Sequence, residues 1–273
     1  MSTERTESRL GRRALLTRVG GLALGAPLCW GAAAAKADNR EHFVPGESAV
    51  ISGGIASTWA RVNGNGAVTW VGLTVPLSMV ETMPPPGTGP ARAVAALNYP
   101  AVVRETTYFN HAEIHSNLHG HRTNPAYADP HRYEAPHFDF HFYAIPVAAV
   151  FAIPGGPFPV PVPADLLPAG YAQPEAGSVP QMGRHSGPLS EFTATDPWEL
   201  TMLAGFLPDA SYMHFVEPMI TREFLLRRKN FTLPVPTPER LGRPTRYPSG
   251  CVVHYDRAAD AYHCIFKGFE WME

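Results

Sequence analysis

Two short stretches of the sequence, HAEIH at residues 111–115 and HFDFH at residues 137–141, share one arrangement of side chains that can ligate a metal ion. Each stretch places a carboxylate between two histidines, with a single residue on either side of the acid. Imidazole and carboxylate groups without a thiolate suit zinc, iron(II), manganese or copper. Seven of the 12 histidines lie between residues 111 and 141, so this region predicts a metal site.

Side-chain alternation along a strand separates HFDFHFY into two faces, with the phenylalanine rings on one and the polar side chains on the other. The polar set is His137, Asp139, His141 and Tyr143. Residues i and i+2 lie about 6.6 Å apart, so His137 with Asp139, or Asp139 with His141, can share one ion. All three converge only on a bulged or strongly coiled strand.

The same alternation applied to FNHAEIH puts His111, Glu113 and His115 on one face. If this strand neighbours HFDFHFY in one sheet, the two polar faces line one cavity. A helical alternative places His111, His115 and His119 on one helix face at i, i+4 and i+8. The preceding VVRETTYF favours the strand, so we expect an extended strand over residues 101–115.

Other polar side chains extend the candidate site. His185 lies in the glycine-flanked loop MGRHSG, His119 and His121 form HGH, and Glu217 ends a predicted strand in FVEP. We interpret Glu217 and Tyr143 as candidate catalytic groups. The predicted metal ligands are His115, His119, His121, His137, Asp139, His141 and His185. The histidines interpreted as surface or packing residues are His42, His131, His214, His254 and His263.

The elements that must position these residues are mostly strands. NGNG at residues 63–66 predicts a hairpin, LSMVETM a short helical turn, and residues 219–228 a second helix. Residues 38–273 predict a single mainly β domain, with a Pro- and Gly-rich loop at about 146–180 that cannot be a central strand. The expected fold is an antiparallel β-barrel or sandwich with one or two short helices.

The N-terminal 37 residues have the order of a twin-arginine export signal. Arg12 and Arg13 precede an apolar run that ends in AKA, with cleavage near Ala37. The run falls short of the ~20 residues of a membrane span, so no anchor is expected in the mature chain. The sequence thus predicts a periplasmic or secreted protein. Its 16 basic and 22 acidic residues after cleavage argue against a nucleic-acid partner.

Cys251 and Cys264 flank the turn of a predicted C-terminal hairpin. A two-residue turn at Arg257 and Ala258 places them directly opposite each other, and an oxidising compartment then favours a disulfide. A four-residue turn shifts the register and favours two buried thiols.

Several blocks of the mature chain resemble, in order, a bacterial family known only as a domain of unknown function. Its most recognisable element is a PHFDFHFY-type string, here Pro136–Tyr143. The other similar blocks are TWARVNGNGAVTWVGLTVPLSMVETMP, SNLHGHRTNPAYADPHRYEA, VPQMGRH, FVEPMITREFLL and YPSGCVVHYD. The resemblance covers nearly the whole mature chain. It implies an exported, mainly β fold with a metal centre, and it supplies no reaction.

The leading functional hypothesis is an enzyme that uses one divalent transition metal, with zinc favoured and iron(II) next. One version joins His137, Asp139 and His185 as the two-histidine, one-carboxylate face of a non-haem iron oxygenase. Another joins His137, His141 and His185 around zinc for hydrolase- or lyase-type chemistry on a small molecule, with Asp139 or Glu217 as base.

The rival hypothesis is a non-catalytic, metal-binding or structural oligomer of the cell envelope. Four protein ligands in a filled core favour this structural role, whereas three ligands facing a cavity favour catalysis. A serine hydrolase is disfavoured because the sequence contains no GxSxG.

Overall fold

A computed structural model describes residues 40–158, 160–173 and 177–273. The predicted export signal at residues 1–37 lies outside these ranges. The strands are β1 (His42–Ile51), β2 (Gly54–Val62), β3 (Val68–Pro76), β4 (Ala95–Asn98), β5 (His111–Asn117), β6 (His137–Tyr143), β7 (Gly156–Pro157), β8 (Tyr171–Ala172), β9 (Gly177–Ser178), β10 (Arg184–Pro188), β11 (Leu200–Phe206), β12 (Met213–Thr221), β13 (Phe231–Leu233), β14 (Thr245–Asp256) and β15 (Ala261–Met272). The helices are α1 (Leu77–Thr82), α2 (Ala101–Thr106), α3 (Val147–Phe151), α4 (Leu189–Thr193) and α5 (Arg222–Leu226), with a 3₁₀ turn at Pro90–Arg92.

Two antiparallel sheets form the framework. The first has the strand order β1-β2-β3-β15-β14-β13, and the second has the order β4-β5-β6-β12-β11-β10-β8. A small ladder joins β7 to β9. Neither large sheet closes on itself within the described residues, so the fold is a β-sandwich rather than a barrel. The mainly β prediction is confirmed.

The core lies between the inner faces of the two sheets, as strand alternation predicts. Phe138, Phe140 and Phe142 of β6 are all at most 3% exposed. The Phe142 ring packs edge-on against Phe266 of β15, with ring centroids 4.7 Å apart. Burial of each such ring contributes about 1.5–3 kcal/mol to folding.

The outer face of the second sheet is buried as well, which the sequence pattern does not reveal. Every residue of β6 is buried, and in β5 only Asn117 is partly exposed. Antiparallel sheets often leave one face in water. Here the connection between β5 and β6 covers part of that face, so the polar side chains of both strands are removed from solvent.

The five α-helices of the described residues are more than the one or two predicted, and each is at most six residues long. The predicted helical turn at LSMVETM is confirmed as α1. The long strand expected over residues 101–115 is partly wrong, because α2 starts directly after Pro100. Proline presets a helical φ near a helix start and has no N–H to satisfy there.

The helix expected at residues 219–228 begins later, at Arg222. Residues 219–221 instead complete β12, where Ile220 lies opposite Phe138. The Thr221 hydroxyl then accepts a hydrogen bond from the Phe224 N–H at 3.2 Å and caps α5. Sheet pairing therefore displaces the helix start.

The Pro- and Gly-rich segment at 146–180 is mostly loop in its described part. It contains only α3 and the two-residue strands β7, β8 and β9.

Within the described residues, no helix has both the length and the apolar composition needed to span a bilayer.

The C-terminal hairpin has the four-residue turn, so the directly opposed cysteine pair is wrong. Asp256 lies opposite Ala261, and Cys264 lies opposite Val253 rather than Cys251. Both cysteines are buried free thiols with their Sγ atoms 3.8 Å apart. The hairpin therefore follows the four-residue alternative, in which the turn length places two buried thiols on diagonal positions.

Candidate metal centre

The register of the second sheet brings the polar faces of the two signature strands side by side. In the β5–β6 pair, Glu113 lies opposite His141 and His115 opposite Asp139. β12 flanks β6 on its other edge, with Met219 opposite Asp139. The two polar faces therefore lie side by side in one sheet, as the strand interpretation requires. The helical alternative is wrong, because β5 is extended over HAEIH.

Glu217 and His185 reach this face from β12 and β10. Glu217 lies opposite Leu203 of β11, and His185 lies opposite Gly205. A Cβ at Gly205 would lie 1.8 Å from the Phe215 ring, so only glycine fits there. β11 therefore presents no side chain at this position, and His185 Nε2 lies 3.5 Å from Glu217 Oε2.

His121 arrives from the connection between β5 and β6, which folds back over the polar face. Gly120 turns the chain with a φ of +64°, and a Cβ there would lie 2.3 Å from the Glu134 backbone. The next N–H, that of His121, donates to the Tyr133 carbonyl at 2.8 Å. The fold-back leaves His121 Nε2 3.4 Å from Asp139 Oδ2.

Three buried carboxylates on this face each have two imidazole Nε2 atoms within 3.5 Å. They are Glu113 with His111 at 3.1 Å and His115 at 3.2 Å, Asp139 with His137 at 3.2 Å and His121 at 3.4 Å, and Glu217 with His141 at 3.4 Å and His185 at 3.5 Å. Six histidines and three acids therefore form three similar groups.

Hydrogen bonding separates the Glu113 group from the other two. Glu113 Oε1 and Oε2 are hydrogen-bonded to His111 and His115, respectively. By contrast, Glu217 Oε2 and Asp139 Oδ1 have no hydrogen-bond partner among the described residues. Each of these oxygens lies within 3.5 Å of an imidazole Nε2 without hydrogen-bond alignment, so its lone pairs remain available to a cation.

The His141, His185 and Glu217 group fits a divalent transition metal. One ligating atom from each residue lies within 4.8 Å of the other two. His141 is fully buried, yet neither ring nitrogen has a hydrogen-bond partner in the described chain. An unsatisfied buried polar atom costs about 1–3 kcal/mol, so a metal bond at this point would remove a real penalty.

The His121, His137 and Asp139 group meets the same distance condition. Asp139 is 2% exposed, and Asn117 Nδ2 donates to its Oδ2 at 2.6 Å. Alternation could have identified Asn117, because it continues the face of His111, Glu113 and His115.

Burial is the main cause of the pKa shifts in the His141, His185 and Glu217 group. Burial, followed by the charge of His115, lowers the pKa of His141 well below 6.5, and burial lowers the pKa of His185 to about 4. Burial and then the charge of Asp139 raise the pKa of Glu217 well above 4.5. Both pKa shifts favour neutral imidazoles, the form that ligates a metal, and a cation bound here would compete with the proton that burial favours on Glu217.

Tyr143 lies at the end of the site. Its ring stacks on His111 and His141, with centroids 5.0 and 5.4 Å away, and its hydroxyl is buried without a partner in the described chain. Burial, followed by the charge of Glu113, raises the Tyr143 pKa well above 10. The hydroxyl is thus a protonated donor.

Two predicted ligands, His115 and His119, lie outside both groups that could hold an ion, and His115 is hydrogen-bonded to Glu113 instead. His119, a predicted ligand, is exposed and lines an open depression with His121 and Glu134. His214, assigned to the surface or to packing, is fully buried, and its Nε2 donates to the Met182 carbonyl at 2.8 Å. His214 thereby supports the turn before His185, a contact for which the sequence carries no signal.

The chain matches no protein-family model, no curated protein and no solved structure. The functional argument therefore depends on the geometry of the site.

Proposed function

We propose that the chain is an exported, metal-dependent enzyme whose ion binds to His141, His185 and Glu217. Zinc is the favoured metal and iron(II) is next, because two imidazoles and one carboxylate suit both ions. The observation that supports this proposal is the convergence of three ligating atoms within 4.8 Å, with His141 and Glu217 Oε2 buried and without hydrogen-bond partners.

The donor set favours catalysis over a purely structural ion. Catalytic zinc sites use three protein ligands and keep one position for water or substrate, whereas structural sites use four. The His185 side chain is 19% exposed, which leaves a route to the group from solvent. When bound, such an ion lowers the pKa of a water ligand or polarises a carbonyl, which is hydrolase- or lyase-type chemistry.

The surrounding residues supply orientation and a hydrogen-bond donor. Glu113 fixes the rings of His111 and His115 by hydrogen bonds, so the wall beside His141 is rigid. The neutral Tyr143 hydroxyl can donate a hydrogen bond to a bound oxygen, as expected of an oxyanion donor.

One observation favours the non-catalytic alternative. His141 and Glu217 are at most 2% exposed, a degree of burial that also suits an ion held only for stability. Metal-loaded protein without turnover on esters, amides or hydratable carbonyls would support this alternative, in which the chain is a metal-binding component of the cell envelope.

Metal content tests the assignment. The chain from Asp38, prepared without a histidine tag, is expected to lose one ion per chain on Glu217→Gln or His185→Ala. The matched control is His254→Ala, an exposed histidine of β14 that lies outside the three groups. Unchanged metal content in both site variants would refute the site.

A further inference from the structure

A second group of metal-ligating side chains shares no residue with the proposed catalytic site. His137 Nε2 lies 3.2 Å from Asp139 Oδ1, and His121 Nε2 lies 3.4 Å from Asp139 Oδ2. One ligating atom from each of the three residues lies within 4.8 Å of the others.

The proton position on His137 shows what this group lacks. His137 Nδ1 donates to the Ala135 carbonyl at 2.7 Å, which leaves the Nε2 lone pair facing both Asp139 Oδ1 at 3.2 Å and the Asn117 amide, whose Nδ2 lies 3.3 Å away. Asn117 Nδ2 also donates to Asp139 Oδ2, so the unrelieved repulsion is the one between Nε2 and Asp139 Oδ1, and a cation bound to both atoms would remove it. Nε2 and Oδ1 are not aligned for a hydrogen bond, and Asp139 Oδ1 has no hydrogen-bond partner within the described chain.

Neighbouring residues hold these ligands in place before any ion binds. The Trp198 ring packs edge-on against His137, with centroids 5.0 Å apart at 84°. Asn117 Nδ2 donates to Asp139 Oδ2 at 2.6 Å. The imidazole and the carboxylate therefore keep their orientation, which is the support that metal ligands normally receive from neighbouring hydrogen bonds.

We propose that His121, His137 and Asp139 form a second site for a divalent transition metal, so that the chain binds two ions. The two sites differ in access, because the most exposed ligand of the second site, His121, has a side chain 44% exposed, whereas the most exposed ligand of the first, His185, has a side chain 19% exposed. His121 borders the open depression lined by His119 and Glu134. The second ion exchanges with solvent through this opening, and the first ion exchanges slowly.

The second site extends the proposed function from one ion to two without depending on the first site. Cobalt(II) titration of metal-free protein, followed by visible absorption and elemental analysis, is expected to give two equivalents per chain. A chelator should remove one equivalent quickly and the other slowly. His121→Ala should leave one equivalent, the slow one, and Glu217→Gln should leave only the fast one.

His119→Ala is the matched control, because His119 is an exposed histidine two residues from His121. This variant is expected to bind both equivalents of cobalt(II). His121 is partly exposed, so His121→Ala is expected to fold, and an unchanged circular dichroism spectrum checks this. A wild-type stoichiometry of one that only Glu217→Gln abolishes would overturn the second site and leave the proposed function standing. A stoichiometry of one that only His121→Ala abolishes would support the second site and refute the first.

Discussion

Replacement of Glu217 by glutamine should change stability in opposite directions with and without metal. Glutamine keeps the shape of the side chain but cannot become an anionic ligand. Burial and the nearby charge of Asp139 raise the Glu217 pKa, so the folded state holds its proton more tightly than the unfolded chain. The stability contributed by this proton is complete below pH 4.5 and is lost as the pH rises toward the raised value.

The metal-free variant should therefore match the wild type in acid and be more stable than the wild type above the ordinary carboxyl range. With metal bound, the wild type should be more stable than Glu217→Gln. At an ion concentration about 100 times Kd, wild-type protein gains about 2.7 kcal/mol of stability. Loss of one of three ligands should weaken binding at least as much as the 10–100-fold typical of an outer hydrogen-bond partner.

At the same ion concentration a variant with 100-fold weaker binding gains about 0.4 kcal/mol. For a chain of this size, 1 kcal/mol shifts Tm by about 2–4 °C. The first site should therefore raise the wild-type Tm by about 5–10 °C and the Glu217→Gln Tm by about 1 °C. An ion bound at the His121 site raises the Tm of the wild type and of Glu217→Gln by similar amounts. Making both measurements in a His121→Ala background removes this contribution.

Thermal unfolding followed by circular dichroism, with and without zinc and at two pH values, measures both effects. Equal zinc-dependent shifts in His121→Ala and in His121→Ala with Glu217→Gln would contradict ligation by Glu217. A metal-free Glu217→Gln protein less stable than the wild type above the carboxyl range would contradict the inferred penalty on its charge.

Three further predictions concern other parts of the molecule. His137→Ala with His141→Ala removes a ligand from each group and should abolish binding of both ions by elemental analysis, whereas each single variant should lose one. Burial lowers the His214 pKa to about 3, so metal-free protein should lose stability as the pH falls below 6.5, and urea unfolding should show a weaker loss in His214→Gln. Cys251 and Cys264 should be unreactive toward a thiol reagent in the folded chain from Asp38 and should react as two thiols in denaturant.

Local patterns account for much of the fold. Alternation in HFDFHFY correctly puts the phenylalanine rings in the core, and NGNG correctly marks the turn between β2 and β3. The errors fall where pairing over a distance overrides local preference. One example is residues 219–221, which extend β12 because they pair with β6, and another is the length of the C-terminal turn, which displaces the two cysteines.

The sequence alone determined which side chains share a face of one strand, because alternation depends only on residues two positions apart. It therefore identified His137, Asp139 and His141 as candidate ligands. Only the tertiary structure decided which of these ligands belong to the same metal-binding group. Strand order places Glu217 beside His141 and brings His185 across Gly205, while the turn at Gly120 returns His121 to Asp139. These contacts join strands and loops far apart in the chain, and sheet register and loop closure, rather than local spacing, set their distances.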